Sequence, residues 1–315
     1  MLLDFVTKGK VRLLVRPKLK QIVFEGSIGK IINNYIEYKR TVMRLHTISL
    51  SCHKRNLLKL HEYCTKQGIT NIEELDLPVL LCFVNQLDTQ YKTGVQNTLM
   101  TIRGFTKHLF EQKILEKDYA KGIPRYKSVT QAKLPSTYTK EEIERLITSA
   151  ERFSAIGKRN YAIILLAARL GLRASDICRL KFENLHWQTS TIKIHQYKTG
   201  NELILPILPD VGNALIDYLK YSRTLSEETF IFLTARAPYT SFFTSNVVTH
   251  VVQRAFLKAG IDINSRRFGP HSLRHSLAFR MLEESTILPV ISEIFGHKST
   301  ESTRYYLRID LKSMK

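Results

Sequence analysis

The chain has 315 residues, with 48 lysines and arginines against 28 aspartates and glutamates, a formal charge of +20 and an isoelectric point near 9.8. That length allows two domains, each with its own core, and the charge, spread along the chain and not gathered on one amphipathic arm, points to nucleic acid before membrane. Cys52, Cys64, Cys82 and Cys178 form no Cys-x-x-Cys pair and lie in apolar helical contexts, which argues against a disulfide framework or a zinc site and for reduced core residues in a cytosolic protein.

Residues 1–25 are a basic arm with partial alternation (Val11, Leu13, Val15, then Pro17), readable as a strand pair, a loose arm on a phosphate backbone or a disordered tail. Interrupted by Lys8, Lys10, Arg12 and Arg16, the arm does not read as a signal peptide. The best apolar run, residues 161–168, is too short to span a bilayer. Residues 26–116 read as four helices with short connections. Ile28, Ile31, Ile32, Tyr35 and Tyr38 make one stripe, and Leu57, Leu58, Leu60, His61 and Cys64 a second. A third helix is expected over 79–87 and a fourth over 95–115, after Gly94. Lys54, Arg55, Lys59, Lys66, Lys92, Arg103 and Lys107 occupy polar positions of this block.

Residues 117–136, with Gly122, Pro124 and Pro135 among charges, read as a linker. The second domain, 137–315, opens on a capping box, Thr139 with Glu142, ahead of a stripe of Ile143, Leu146, Ile147 and Ala150. Residues 161–170 are apolar nearly all round, as in a buried helix that stops at Gly171. Arg173 follows at once, and a cation beside a core needs an anion, either Asp176 in an ion pair or another partner. Two short strands, 191–195 and 202–206, flank the turn Lys198-Thr199-Gly200-Asn201. Amphipathic helices are expected over 209–221 and from near Ser245 to Lys258, and Arg266 and Arg267 are further candidates for phosphate contact.

Residues 269–306 organise the chain. Pro270 suits a helix first turn, and His271 and Arg274 then share a face. A second helix, 287–295, ends at Gly296, followed by His297. A guanidinium clamps phosphate oxygens, and a phenol can attack phosphorus.

His271-Ser272-Leu273-Arg274-His275, then Phe295-Gly296-His297, then Tyr306 as the ninth residue after His297, resembles the C-terminal signature of the tyrosine recombinase (phage integrase) family. Phe295 stands where Leu is usual. Gly171-Leu172-Arg173-Ala174-Ser175-Asp176 resembles the family's first arginine box. The resemblance, to a Xer-like or transposon-type integrase, implies a mainly α, two-domain protein. A helical core-binding domain would precede a mostly helical catalytic domain carrying a small antiparallel sheet.

The resemblance also implies roles. Arg173 and Arg274 hold the scissile phosphate, and Lys198, with Lys193 as alternative, is the general acid. His271 takes the proton of Tyr306, and His297 donates to the phosphate; Asp176 and His275 support the site. Tyr305 is excluded by spacing alone. No cofactor or metal is implied. The implied partners are double-stranded DNA with paired inverted sites, a dimer per site and a homotetramer in the synapse, and an accessory directionality protein. Only residues 307–315 follow the tyrosine, short for a helix exchanged between protomers. The implied location is cytoplasmic, on the nucleoid. A type IB topoisomerase-like enzyme and a non-catalytic DNA-binding accessory protein are the alternatives.

Overall fold

The computed structural model describes residues 22–87, 92–125 and 136–297, so Tyr305, Tyr306 and the arm up to residue 21 lie outside the described residues. The chain divides into two compact units, Met1–Thr130 and Gln131–Lys315.

In the first unit, α1 (Gly26–Thr41) buries Ile28, Ile32, Tyr35 and Ile36, one face at helical spacing. Helix α2 (Thr47–Lys66) starts where the His46 ring accepts the amide of Ile48. Helix α3 (Leu77–Asn85) begins two residues before the expected start, because Asp76 caps the Val79 amide and Pro78 fits the first turn. Helix α4 (Lys92–Glu111) runs through Gly94, which was expected to precede it, and ends before Lys113 takes a positive φ of 58°. A polar pin ties α2 to α4: the buried Asn56 amide donates to Thr101 Oγ1 (2.9 Å) and Asn97 O (3.2 Å) and accepts from Thr98 Oγ1. Full satisfaction makes such a network a specifier of register and not a liability. Cys82, expected in the core, is exposed, because α3 turns Leu80 and Phe83 inward instead.

The second unit opens on α5 (Lys140–Thr148), whose capping box forms as the sequence indicates: Thr139 Oγ1 accepts from Glu142 N, and Glu142 accepts from Thr139 N. Helix α6 (Ala155–Arg169) is capped by Ser154, so it starts six residues before the apolar run, and it buries every residue from Ala162 to Ala168. Helix α7 (Ala174–Cys178) follows. Strands β1 (Leu185–His186), β2 (Thr191–His195) and β3 (Glu202–Pro206) form an antiparallel sheet in the order β1-β2-β3, with His195 opposite Glu202. Among the strands of the described residues, β1 was the unanticipated one; two residues carry no period. Helices α8 (Pro209–Tyr221), α9 (Asn246–Lys258), α10 (Pro270–Glu283) and α11 (Leu288–Phe295) complete the unit. Its core surrounds α6 and draws on α5, α8, α9 and the sheet. Among the described residues no helix is long and apolar enough to cross a membrane.

Candidate active site

Arg274 is the centre of the arrangement. Only 3% of it is exposed, and a buried guanidinium must satisfy its donors inside the protein. Its Nη1 donates to Gly171 O (2.8 Å) and its Nη2 to Phe295 O (2.6 Å). Those two carbonyls belong to the stretch that delivers Arg173 and the stretch that delivers His297. One side chain therefore joins three segments far apart in sequence. The guanidinium also lies 4.3 Å over the Phe295 ring.

Backbone turns at both carbonyls depend on glycine. Gly171 has φ 60°, and a Cβ there would sit 2.6 Å from the Phe295 ring. Gly296 ends α11 in the left-handed region (φ 57°, ψ 48°) and releases His297 toward Arg274, with Nε2 3.2 Å from Nη2. A guanidinium can only donate, so Nε2 is the acceptor there. Burial, then the charges of Arg274 and Arg173, push the His297 imidazole down to about 4.

Arg173 is the N-cap residue of α7, partly buried, in extended conformation. Asp176 lies buried one turn on, and its Oδ1 accepts the backbone N–H of Tyr197 (2.9 Å). Burial raises its carboxyl group, against the pull of the Tyr197 amide and the charges of Arg173 and Arg274. The bond from the Tyr197 amide ties α7 to the β2–β3 turn, where Tyr197 immediately precedes Lys198. Lys198 itself is exposed at that turn. Lys193, the alternative, is paired with Glu202 across the strands (2.6 Å).

His271 occupies the first turn of α10, open to solvent at its surface. The protein packed around it, then Arg274, Lys198 and Arg173, hold its imidazole below the ordinary value. It is close enough to all three cations to feel them. His275 stacks on His271 (6.1 Å between centroids) and is pushed down to about 4 by burial first and the neighbouring His271 second. Arg266, a candidate phosphate contact, is committed elsewhere: it makes two 2.9 Å bonds to Glu142, donates to Thr137 O and stacks 3.9 Å over Tyr138. The structure therefore brings Arg173, Lys198, His271, Arg274 and His297 into one electrostatic neighbourhood, while Tyr306 lies outside the described residues.

Sequence reasoning missed Gln196, which is 1% exposed. Its Nε2 donates to Phe295 O (2.9 Å) and its Oε1 accepts from Thr199 Oγ1 (2.7 Å). A signal was present: Ile192 and Ile194 set the inward parity of β2, and continuing that period by one step turns position 196 inward. A polar residue at a buried parity needs partners.

Known proteins resemble this chain in sequence and in fold. The profile of the Phage integrase family matches residues 136–312, more than half of the chain. The candidate integrase/recombinase y4rA of Sinorhizobium fredii is 31% identical over 214 residues, 68% of this chain; the chain spans about half (51%) of that relative's length. Tyrosine recombinase XerC of Anoxybacillus flavithermus is 24% identical over 288 residues, 88% of this chain and 92% of that protein. Among solved structures, a lambda integrase dimer bound to a COC′ core site superposes with a TM-score of 0.66 at 16% identity, covering 88% of this chain and 94% of that one. XerH site-specific recombinase bound to difH substrate gives 0.66 at 20% identity, covering 90% and 83%. These likenesses extend the shared fold over both units, and the family match covers the segments that meet at Arg274. The chain belongs to the phage integrase family of tyrosine recombinases.

Proposed function

We propose that this protein is a site-specific DNA recombinase that cleaves and rejoins DNA through a 3′-phosphotyrosyl link at Tyr306. The observation that carries the reading is the buried Arg274 guanidinium, held by two carbonyls beside His297, with His271 in the field of Arg274, Lys198 and Arg173 together. A scissile phosphate docked there would meet preorganised positive charge where negative charge shifts in the transition state.

In this mechanism the phenolic oxygen of Tyr306 attacks phosphorus and its proton passes to His271. A phenol has a pKa near ~10 and is a poor nucleophile until deprotonated. His271, held low by its surroundings and the three cations, is neutral at neutral pH and able to accept. Arg173 and Arg274 hold the non-bridging oxygens. Lys198 gives its proton to the 5′ oxygen as the bond to phosphorus breaks. His297 also faces the phosphate; an arriving anion would raise its depressed imidazole pKa and make it a donor.

The proposal extends to organisation. Residues 1–25 are an arm, 26–116 a core-binding domain, 117–136 a linker and 137–315 the catalytic domain. Two protomers bind each pair of inverted sites and four form the synapse, with an accessory directionality protein among the partners and the nucleoid as the place of action. The two solved structures named above support the DNA and the pairing of protomers, being a dimer on a core site and a complex with difH substrate. Many phosphate contacts would make binding fall steeply with salt.

The test is a nicked suicide duplex carrying the site protected by footprinting. Wild type and Tyr305→Phe should accumulate a covalent protein–DNA adduct, and Tyr306→Phe should not. An adduct in Tyr306→Phe but not in Tyr305→Phe moves the nucleophile by one residue, and tight binding with no adduct in any variant overturns the catalytic reading.

A further inference from the structure

We propose that Gln196 is a positioning residue for proton transfer from Lys198, and that it does this by tying the β2–β3 turn to the carbonyl that also anchors Arg274. The proposal rests on the recombinase reading above and concerns a residue that the catalytic set does not include.

Gln196 holds the lysine turn from inside by three contacts. Its backbone N–H donates to Asn201 O (2.8 Å), its backbone carbonyl accepts from Gly200 N (2.7 Å) and its side-chain Oε1 accepts from Thr199 Oγ1 (2.7 Å). The remaining group, Nε2, reaches out of the hairpin to Phe295 O. That carbonyl can only accept, so the amide has one orientation that satisfies both ends. Phe295 O takes Arg274 Nη2 as well, and the residue after it is the glycine that releases His297. The turn is gripped on its other side by Asp176 at the Tyr197 amide and by Arg179, which stacks 3.4 Å over the Tyr197 ring. Lys198 is exposed, but Tyr197 before it is tied to Asp176 on the segment that carries Arg173, and Thr199 after it is tied through Gln196 to the carbonyl that anchors Arg274.

The chemistry defines what Gln196 would change. In cleavage, the bond from phosphorus to Tyr306 forms as the bond to the 5′ oxygen breaks, and that oxygen takes the Lys198 proton. If sulfur replaces the bridging 5′ oxygen, the leaving group departs as a thiolate and needs no proton. A residue acting through Lys198 therefore matters for the oxygen substrate and not for the sulfur one. A residue needed only for folding matters equally for both.

The experiment measures single-turnover adduct formation on suicide duplexes with 5′-oxygen and 5′-bridging-sulfur at the cleavage position. It compares wild type, Gln196→Met, Thr199→Val and Lys198→Ala. Gln196→Met should be slower by roughly 10- to 100-fold on oxygen and within about 3-fold of wild type on sulfur, since displacements of about 1 Å cost this much in a positioned proton transfer. Thr199→Val, which removes one of the tethers, should show a smaller loss of the same kind. Equal losses on both substrates, or no loss on either, overturn the proposal. If wild type forms no adduct, or sulfur fails to rescue Lys198→Ala, the reading of the site fails and takes this role with it. Amide exchange supplies an answer without catalysis: Gly200 and Tyr197 should exchange faster in Gln196→Met than in wild type, and unchanged protection there refutes the tether directly.

Discussion

Arg274 and Lys198 stand at opposite extremes of one site. The arginine is buried, two of its donors are taken by Gly171 O and Phe295 O, and its guanidinium lies over the Phe295 ring. The lysine is exposed on a turn, and its placement is inherited from Gln196, Thr199 and Asp176. The difference follows from what each would do in the proposed mechanism. A phosphate ligand works best when it does not reorganise, so it is part of the core. A proton donor has to reach a leaving atom, so it stands on a short lever. Stability and chemistry are fused at the first position and separable at the second.

The sharpest way to break that contrast is to replace each cation. Arg274→Lys keeps the charge but leaves at least one buried carbonyl without its donor, so adduct formation should fall about 10²- to 10³-fold and unfolding should cost about 3 kcal/mol less. Lys198→Ala should lose adduct formation to a comparable extent with no change in the denaturation midpoint. If both variants unfold like wild type, the arginine is not part of the core.

A smaller effect concerns pH. His275 and His297 are pushed down to about 4 in the folded protein, against an unfolded value near 6.5. Between those values the unfolded chain binds more protons, so stability should be retained above pH ~6.5 and fall as pH drops toward ~4. Urea denaturation across this range should show that slope, and His275→Asn should reduce it. An unchanged slope in the variant would place its source in other groups.

Smallest of all is Arg266→Ala. The pair with Glu142 is bidentate and partly shielded, so its loss should cost about 1 kcal/mol. The salt dependence of DNA binding should be unaltered, because this guanidinium faces its own protein. A slope reduced by about one would restore it as a phosphate contact.

Much of the second unit was legible because its signals are local. The capping box at Thr139, the turn glycines at 171 and 296 and the alternation of β2 are each decided by residues within a few positions. The start of α6 was not, since its first turn, Ala155-Ile156-Gly157-Lys158, holds a glycine and no apolar stripe, and only the Ser154 cap marks it. The motifs located Arg274 but said nothing of how it is held. Its carbonyl partners are 103 and 21 residues away, and no pattern of side chains announces a backbone acceptor. Gln196 was overlooked for the same reason, although its parity on β2 was visible. Cys82 misled because an apolar neighbourhood in sequence does not say which way a short helix turns.

Gly296 carries one more consequence. A methyl group there would land 2.6 Å from the amide of Gln196, on a backbone already in the left-handed region. The end of α11 and the lysine hairpin are therefore cut to each other's shape, though 99 residues separate Gln196 from Phe295. Anyone grafting this hairpin into a relative, or building chimeras with a crossover between the two segments, will have to transfer both halves of that fit together.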